Sequence, residues 1–257
     1  MNDYYDLKDK NFLVTGASSG IGKAVALTLA ALGANVAITG RNNSRLENVA
    51  SKIKKLSSKE VTKVSSSFDS IESVTELVKN ISSELGPLDG CFHSAGEEVF
   101  KPIKLITQED YDKVFSPVIY GAFGISKAFS LSGISAKSSS IVFMSSVSVQ
   151  SGKPGLALYA SAKSALSGLI RSLACELAVN QIRVNNICSG GVKTEMHDRV
   201  MRFSHPETLR KYQDEHLLGL GEVDDIVNMA IFLLSSKSRW ITGTDIIVDG
   251  GYLSMKN

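Results

Sequence analysis

The stretch "TGASSGIG" (15–22) completes a short apolar run, "NFLVTG" (11–16), and leads into a segment with helical spacing. Gly16 permits a tight turn, Gly20 removes a side chain where backbone must approach a ligand, and Gly22 lets a helix pack closely on a strand. The N-terminus of that helix presents free N–H groups and the positive end of its dipole. The pattern predicts a strand, a turn and a helix that bind the pyrophosphate of a dinucleotide, with a ligand-free turn as the alternative.

Around this motif, short apolar runs alternate with longer segments whose apolar residues recur at helical spacing. The predicted strands cover residues 11–16, 35–40, 61–68, 88–95, 140–146, 182–188 and 244–251. The predicted helices cover residues 22–33, 46–56, 74–86, 111–129, 159–178 and 223–235. The alternation predicts a single-domain α/β fold over residues 1–257: a doubly wound, Rossmann-like parallel sheet with helices on both faces.

One segment, residues 196–220, departs from this alternation between the sixth and seventh predicted strands. It is polar and contains Pro206. Insertions of this length in a compact domain are usually functional, so the segment is a candidate lid over a substrate. Decoration of the surface is the alternative interpretation.

The composition argues against several classes of protein. Of the 257 residues, 43% are hydrophobic and 21% are charged, and a net charge of +2 without a basic stripe does not suit nucleic-acid binding. Cys91, Cys175 and Cys188 lack C-x-x-C spacing, which predicts neither a metal site nor disulfides. No apolar run approaches the roughly 20 residues of a membrane span, and the polar N-terminus is not a signal peptide. We expect a soluble cytoplasmic protein.

The end of the second predicted strand indicates which dinucleotide is bound. An acidic residue there would accept hydrogen bonds from the ribose 2′-OH of NAD(H) and would repel a 2′-phosphate. This chain has Gly40 followed by Arg41, and a guanidinium suits a phosphate. The sequence therefore favours NADP(H) over NAD(H), with a solvent-facing arginine as the alternative.

A second motif, "YASAK" (159–163), places Tyr159 and Lys163 four positions apart. On a helix the two side chains project from the same face. A free phenol has a pKa of about 10, and a nearby ammonium lowers that pKa because it favours the phenolate. The pair is a candidate acid/base group, although a chance pairing on an exposed helix face would give the same spacing.

Taken together, "TGASSGIG" near the start and "YASAK" later in the chain resemble the short-chain dehydrogenase/reductase family, in the form that includes β-ketoacyl carrier protein reductases. The resemblance covers nearly the whole chain, and the serine that the family places thirteen residues before the tyrosine is Ser146 here. It implies that Tyr159 gives or removes the proton on the substrate oxygen and that Ser146 hydrogen-bonds that oxygen. It also implies that Lys163 lowers the pKa of Tyr159 and holds the nicotinamide ribose.

The resemblance implies the remaining contacts to the cofactor as well. Asp69 and Ser70 are expected beside the adenine, and Val192 and Thr194 at the nicotinamide carboxamide. Asn185 lies where the family carries a structural asparagine. The predicted cofactor-binding residues are Gly16, Ser18, Ser19, Gly20, Ile21, Gly22, Arg41, Asp69, Ser70, Ser94, Tyr159, Lys163, Val192 and Thr194, and no metal site is predicted.

The chain departs from the family pattern at three places near the expected site, and one of them is Ser189 and Gly190, where the family usually has P-G before the nicotinamide loop. After the fourth strand it has "HSAG" (93–96) where the family usually has N-N-A-G, so Ser94 has a shorter reach and His93 is either a packing substitute or a catalytic group. Val118 replaces a catalytic asparagine that holds a relay water, and valine forms no side-chain hydrogen bond. Pro117 predicts a kink in the helix that frees a main-chain carbonyl, and this carbonyl would hold the water that relays protons to Lys163. The alternative is a broken proton relay and slow turnover.

The expected function is an NADP(H)-dependent oxidoreductase that transfers a hydride between nicotinamide and a ketone or 3-oxo group, with an alcohol as the reverse substrate. An acyl thioester is a further substrate class that the resemblance includes. The alternatives are a weakly active or non-catalytic NADP(H)-binding protein and an enzyme of sugars or nucleotide-sugars. The family is commonly oligomeric, and residues 165–178 are apolar on more than one face, so we expect a homo-oligomer, either a dimer or a tetramer. No nucleic-acid or membrane partner is expected.

Overall fold

The computed structural model describes residues 4–57, 59, 61–201 and 206–255. The strands are β1 (Asn11–Thr15), β2 (Asn35–Gly40), β3 (Val61–Ser65), β4 (Leu88–His93), β5 (Ser135–Ser146), β6 (Arg183–Ser189) and β7 (Asp245–Val248). Within the described residues these strands form one sheet in the order β3-β2-β1-β4-β5-β6-β7, and every neighbouring pair is parallel. The predicted parallel sheet is confirmed.

Helices cover both faces of the sheet. They are α1 (Gly20–Ala31), α2 (Asn43–Leu56), α3 (Ile71–Leu85), α4 (Gln108–Phe115), α5 (Gly121–Ser130), α6 (Ala157–Leu177), α7 (Glu195–Met201), α8 (Pro206–Asp214) and α9 (Val223–Leu234). Helices α1, α2 and α9 share one buried apolar cluster with Phe12 and Val14 of β1. Helices α3, α5 and α6 share the other cluster with Leu13. Successive residues of β1 thus serve opposite faces, as the strand period of two requires.

The order of the strands places a crevice above β1 and β4. The chain passes from β1 through α1 to β2 on one side, whereas from β4 it passes through α4 and α5 to β5 on the other. The connections therefore diverge at the carboxyl ends of these two neighbouring strands. Ligands of open parallel sheets bind at such a switch point.

The helix predicted over residues 111–129 is interrupted in the structure. Helix α4 ends at Phe115, a π-helical turn covers Ser116–Tyr120, and α5 begins at Gly121. Pro117 lies in this turn, and its missing N–H and its ring are incompatible with a regular α-helical ladder. The predicted irregularity at Pro117 is thus present, and the chain stays helical on both sides of it.

Strand β5 begins at Ser135, earlier than the predicted start at residue 140. The residues between them are mostly small and polar, so neither β-branched side chains nor alternation marked them as a strand. Their pairing with β4 is irregular: Leu88 pairs with Ser135, but Gly90 pairs with Ser140.

The proposed lid-like segment, residues 196–220, contains most of α7 and all of α8. Residues 202–205 of this segment lie outside the described residues. In the part of the chain that the structure covers, no helix combines the length and the apolar character needed to cross a membrane.

Candidate active site

A cavity of about 760 Å³ lies above the carboxyl ends of the strands. Its walls come from the segments that follow each of the seven strands. The structure brings thirteen of the predicted site residues into this wall: Gly16, Ser18, Ser19, Gly20, Ile21, Gly22, Arg41, Ser94, Ser146, Tyr159, Lys163, Val192 and Thr194. Residues from distant parts of the chain thus meet in one cavity.

Two glycines of the turn at one end of the cavity, Gly16 and Gly22, have no room for a Cβ. Gly16 has a φ of +65°, and a Cβ on it would lie 2.7 Å from the carbonyl carbon of Ser94. A Cβ on Gly22 would lie 2.4 Å from the carbonyl oxygen of Gly16 and 2.5 Å from Oγ of Ser94. The turn is therefore packed directly against the segment that follows β4.

The N-terminus of α1 is open to an anion. Its N-cap residue, Ser19, makes no side-chain hydrogen bond to the helix, and no acidic residue lies in the first turn. The first helical N–H groups have no partners inside the helix and need acceptors from elsewhere. One acceptor is a carboxylate, because the N–H of Gly20 donates to Oε2 of Glu195 at 3.0 Å. The close glycine packing and the open N–H groups fit a dinucleotide pyrophosphate.

At the other end of the cavity, β5 and α6 position the predicted catalytic residues. Ser146 is the last residue of β5, and Tyr159 and Lys163 project from the first turns of α6. Lys163 is only 5% exposed, and its Nζ donates to the carbonyl oxygen of Met144 at 2.7 Å. Nζ also lies 5.7 Å from the centre of the Tyr159 ring. The i, i+4 arrangement expected from the sequence is therefore present.

The pKa of Tyr159 is shifted above its ordinary value. Burial is the largest cause and the charge of Glu98 adds to it, while the Ser146 hydroxyl opposes the shift. The resemblance implied a lowering of this pKa by Lys163, and the net direction in this structure is the opposite because burial dominates. Burial also lowers the pKa of Lys163, to about 8, against the opposing charge of Glu98.

His93, the last residue of β4, is buried against the π-helical turn. It is 2% exposed, and its ring stacks on Phe68 and meets Phe143 edge-on. Burial lowers its pKa to about 3, so the ring is neutral. The carbonyl of Val118, 3.2 Å from Nε2, can only accept, so Nε2 carries the proton and Nδ1 accepts from the Thr15 hydroxyl at 2.7 Å.

This arrangement shows what the histidine does for the turn. The side chain of Val118 is buried, and its carbonyl is tied to β4 through His93. The main-chain carbonyl of this turn that His93 binds thus belongs to Val118, the residue after Pro117. His93 packs and holds the irregular turn, as one of the two interpretations of "HSAG" (93–96) predicted.

Ser94 and Asn185 make structural hydrogen bonds. The Ser94 hydroxyl donates to the carbonyl oxygen of Thr15 at 2.8 Å and joins β4 to β1. The Asn185 amide donates to the carbonyl oxygen of Ile241 at 2.9 Å, and its oxygen accepts from the N–H of Thr244. Asn185 therefore joins β6 to the segment before β7, in keeping with the structural role that the resemblance implied.

Asp69 and Ser70 lie outside the cavity wall. Ser70 is the N-cap of α3, where its hydroxyl accepts from the N–H of Ser73 at 3.0 Å, and the Asp69 carboxylate accepts from the Ser67 hydroxyl at 2.8 Å. The two residues before Asp69, Ser67 and Phe68, line the cavity instead. The contact of Asp69 and Ser70 with adenine stays a prediction.

The part of the cavity near Tyr159, called the substrate side below, contains polar residues that the sequence did not identify. Half-buried Glu98 follows the β4 loop, and burial raises the pKa of its carboxyl, opposed by Lys153. Nζ of Lys153 lies 3.9 Å from the centre of the Tyr212 ring. These residues belong to two loops and to α8, so no motif joins them. The position of Glu98 just beyond a carboxyl end of the sheet was the one available signal.

The loop that follows β6 is fixed by a second histidine. Nε2 of His216 accepts from the N–H of Gly191 at 2.9 Å, and Nδ1 donates to the carbonyl oxygen of Tyr212 at 2.9 Å. The lid-like segment also places His197 and Tyr212 in the cavity wall. It is therefore part of the site's enclosure.

Known proteins resemble this chain over almost its whole length. A family model described as enoyl-(acyl carrier protein) reductase matches residues 16–253. A hydroxynaphthalene reductase-like protein of Metarhizium robertsii is 35% identical over 257 residues, which cover 95% of each chain.

Two solved structures share the fold. A short-chain type dehydrogenase/reductase from Mycobacterium ulcerans superposes with a TM-score of 0.87 at 29% identity, over 96% of this chain and 90% of the other. A blue fluorescent protein from a metagenomic library, solved in complex with NADPH, gives a TM-score of 0.87 at 29% identity, over 96% and 99% of the two chains.

Proposed function

Because this chain belongs to the short-chain dehydrogenase/reductase family of oxidoreductases, we propose that it reduces a ketone or 3-oxo group with NADPH and oxidises the alcohol in reverse. One observation carries the proposal. The cavity that contains the open N-terminus of α1 also contains Ser146, Tyr159 and Lys163 at its other end. A dinucleotide that binds at α1 would therefore extend towards a proton donor.

The proposed mechanism begins with the protonated phenol of Tyr159. Its raised pKa keeps the proton in place at neutral pH, and this is the form that donates to a carbonyl oxygen. The Ser146 hydroxyl, beside the phenol, hydrogen-bonds the same oxygen and stabilises the charge that develops there. When bound, NADP(H) supplies the hydride.

Lys163 has two proposed roles next to Tyr159. Its ammonium stabilises the phenolate that remains after proton donation, and it binds the nicotinamide ribose. The hydrogen bond to Met144 fixes the position of Nζ beneath the cavity. A water at the carbonyl of Val118 would relay protons to Lys163 in place of the family's asparagine, and the contact between that carbonyl and His93 supports a fixed geometry there.

We propose NADP(H) over NAD(H) because Arg41 follows β2. Its guanidinium lines the cavity, is 56% exposed and lies where a 2′-phosphate would be bound. The structural neighbour with bound NADPH gives further support.

A polar substrate is the second candidate, favoured by the residues on the substrate side. Glu98, Lys153 and Tyr212 offer a carboxylate, an ammonium and a phenol to the hydroxyl groups of a sugar or nucleotide-sugar. Phe100 and Leu156 line the same cavity and suit an acyl chain of a thioester. We propose that the lid-like segment covers either substrate.

A homo-oligomer is also proposed, since aromatic side chains remain exposed on α4, on α5 and in the turn between them. These are Tyr111, Tyr120 and Phe123. Exposed apolar surface of this kind is typical of interfaces. Light scattering after size-exclusion chromatography should give the mass of a dimer or tetramer, and a monomer would contradict this proposal.

The proposed activity is tested by titration with NADPH and NADH, followed by assays with 3-oxoacyl thioesters, diketones and keto-sugars. We expect tighter binding of NADPH than of NADH, and NADPH oxidation with one of these classes. Tight binding without oxidation would favour the non-catalytic alternative. Failure to bind either nucleotide would contradict the proposed function.

A further inference from the structure

Both places expected to bind the phosphates of the cofactor already hold a carboxylate of this chain. The N-terminus of α1 binds Glu195, the first residue of α7, through the N–H of Gly20. Arg41, at the end of β2, pairs with Glu97, where Nη1 and Oε2 are 2.9 Å apart. A carboxylate and a phosphate are both anionic acceptors, so they compete for the same donors.

Each of these carboxylates has a lysine ammonium near its other oxygen. Nζ of Lys23 lies 3.6 Å from the other oxygen of Glu195. Nζ of Lys113 lies 3.4 Å from Oε1 of Glu97. Either glutamate could therefore leave its phosphate-binding partner and keep one ion pair, which lowers the cost of displacement.

The two glutamates come from different walls of the cavity. Glu97 lies in the loop that follows β4 and is 18% exposed, whereas Glu195 is the first residue of α7, which comes after β6. The pyrophosphate is common to both dinucleotides, whereas the 2′-phosphate belongs to NADP(H) alone. Competition at α1 would therefore weaken the binding of both NADP(H) and NAD(H), whereas competition at Arg41 would weaken the binding of NADP(H) alone.

We propose that Glu195 and Glu97 are internal competitors of the cofactor's phosphates, Glu195 for the pyrophosphate at α1 and Glu97 for the 2′-phosphate at Arg41. This inference rests on the proposed binding of NADP(H). It makes Glu195 a determinant of overall dinucleotide affinity and Glu97 a determinant of the choice between NADPH and NADH. Cofactor binding is then an exchange of anions at two sites.

Glu195→Gln and Glu97→Gln test the proposal, because each keeps the size of the side chain and removes its charge. Glu195→Gln should lower the Kd of NADPH and of NADH by the same factor, about twofold to fivefold. Glu97→Gln should lower the Kd of NADPH by a similar factor and leave that of NADH unchanged. Fluorescence or calorimetric titration gives these values without any turnover.

Two matched controls remove a carboxylate elsewhere. Asp198→Asn removes an exposed charge three positions after Glu195, and Glu76→Gln removes a charge from an exposed ion pair on α3. Neither should change the Kd of either nucleotide. Unchanged or weaker nucleotide binding in Glu195→Gln, or equal shifts for both nucleotides in Glu97→Gln, would overturn the inference.

Inorganic pyrophosphate separates this inference from the proposed function. If wild-type protein bound neither nucleotide, the proposed function would fail, but Glu195→Gln should still bind pyrophosphate more tightly than wild type does. If wild-type protein binds NADPH and neither variant binds any of the three ligands more tightly, the inference alone fails.

Discussion

The two ends of the cavity are built in different ways. At the α1 end, the proposed binding groups are main-chain N–H groups, and Gly16 and Gly22 beside them leave no space for an added carbon. At the β5–α6 end, the proposed catalytic groups are the side chains of Ser146, Tyr159 and Lys163, which line the cavity. Cofactor binding at the α1 end should therefore be lost when an atom is added, and turnover at the β5–α6 end when a functional group is removed. Binding and chemistry should then be separable by mutation.

Tyr159→Phe should have the largest effect, and that effect should fall on kcat rather than on cofactor binding. Loss of the phenol proton should reduce kcat by about 10²–10⁴-fold. The Kd of NADPH should change far less than kcat does, because α1 is untouched and Tyr159 is only one of the predicted cofactor-binding residues. Steady-state rates and a nucleotide titration on the same preparation measure both. Wild-type turnover in this variant would remove Tyr159 from the mechanism.

Gly22→Ala should have the converse effect. Its new Cβ would lie 2.4 Å from the Gly16 carbonyl oxygen, so the turn must shift. We expect NADPH affinity to fall about tenfold to 100-fold, the scale of overpacking in a tight site. Gly168→Ala is the matched control, since nothing lies within 4 Å of its new Cβ on α6. Equal Kd values for NADPH in Gly22→Ala and Gly168→Ala would contradict the claim that close packing of the turn at α1 determines cofactor binding.

The pH dependence should report on Lys163. Its pKa is lowered to about 8, so the ammonium is present below that pH and is lost above it. The rate of carbonyl reduction at saturating NADPH should therefore be constant below pH 8 and fall about tenfold per pH unit above it. A rate that stays level up to pH 10 would show that the charge of Lys163 is not required.

Arg41→Gln should change binding and nucleotide preference together. Loss of the guanidinium should weaken NADPH binding about threefold to tenfold, because the side chain is partly exposed and screened by solvent. NADH binding should remain unchanged. An equal loss for both nucleotides would contradict the assignment of Arg41 to the 2′-phosphate.

Val118→Asn should have the smallest effect on turnover. If the Val118 carbonyl already supports the relay, restoring the family's amide should change kcat by less than about threefold. A rise of tenfold or more, about 1.4 kcal/mol, would argue against the carbonyl substitute. A melting curve is the control, since Val118 is buried and an amide there costs stability.

The sequence predicted the glycine turn at α1 and the shared helix face of Tyr159 and Lys163, because both are local patterns. The glycine turn (15–22) is continuous in the chain, and the i, i+4 spacing of Tyr159 and Lys163 needs only a helix. The predicted strands identified the parallel sheet because buried strands are nearly continuous apolar runs.

The remaining parts of the site depend on contacts between distant segments. The pair of Glu195 with Gly20 joins residues 175 positions apart, and no local pattern indicates it. The direction of the Tyr159 pKa depends on burial by the folded chain, which outweighs the lowering expected from the motif. His93 was visible as a departure from the family pattern, but its role required the geometry of the π-helical turn.

The central claim is that one cavity brings a nicotinamide hydride to a carbonyl protonated by Tyr159. Deuterium tracing tests it most directly, with NADPH deuterated at C4 on either face and the carbonyl compound that supports turnover. We expect one of the two deuterated cofactors to give an alcohol with deuterium on its carbinol carbon, and Tyr159→Phe to give almost none. NADPH consumption with no deuterium in the alcohol from either cofactor would contradict the claim.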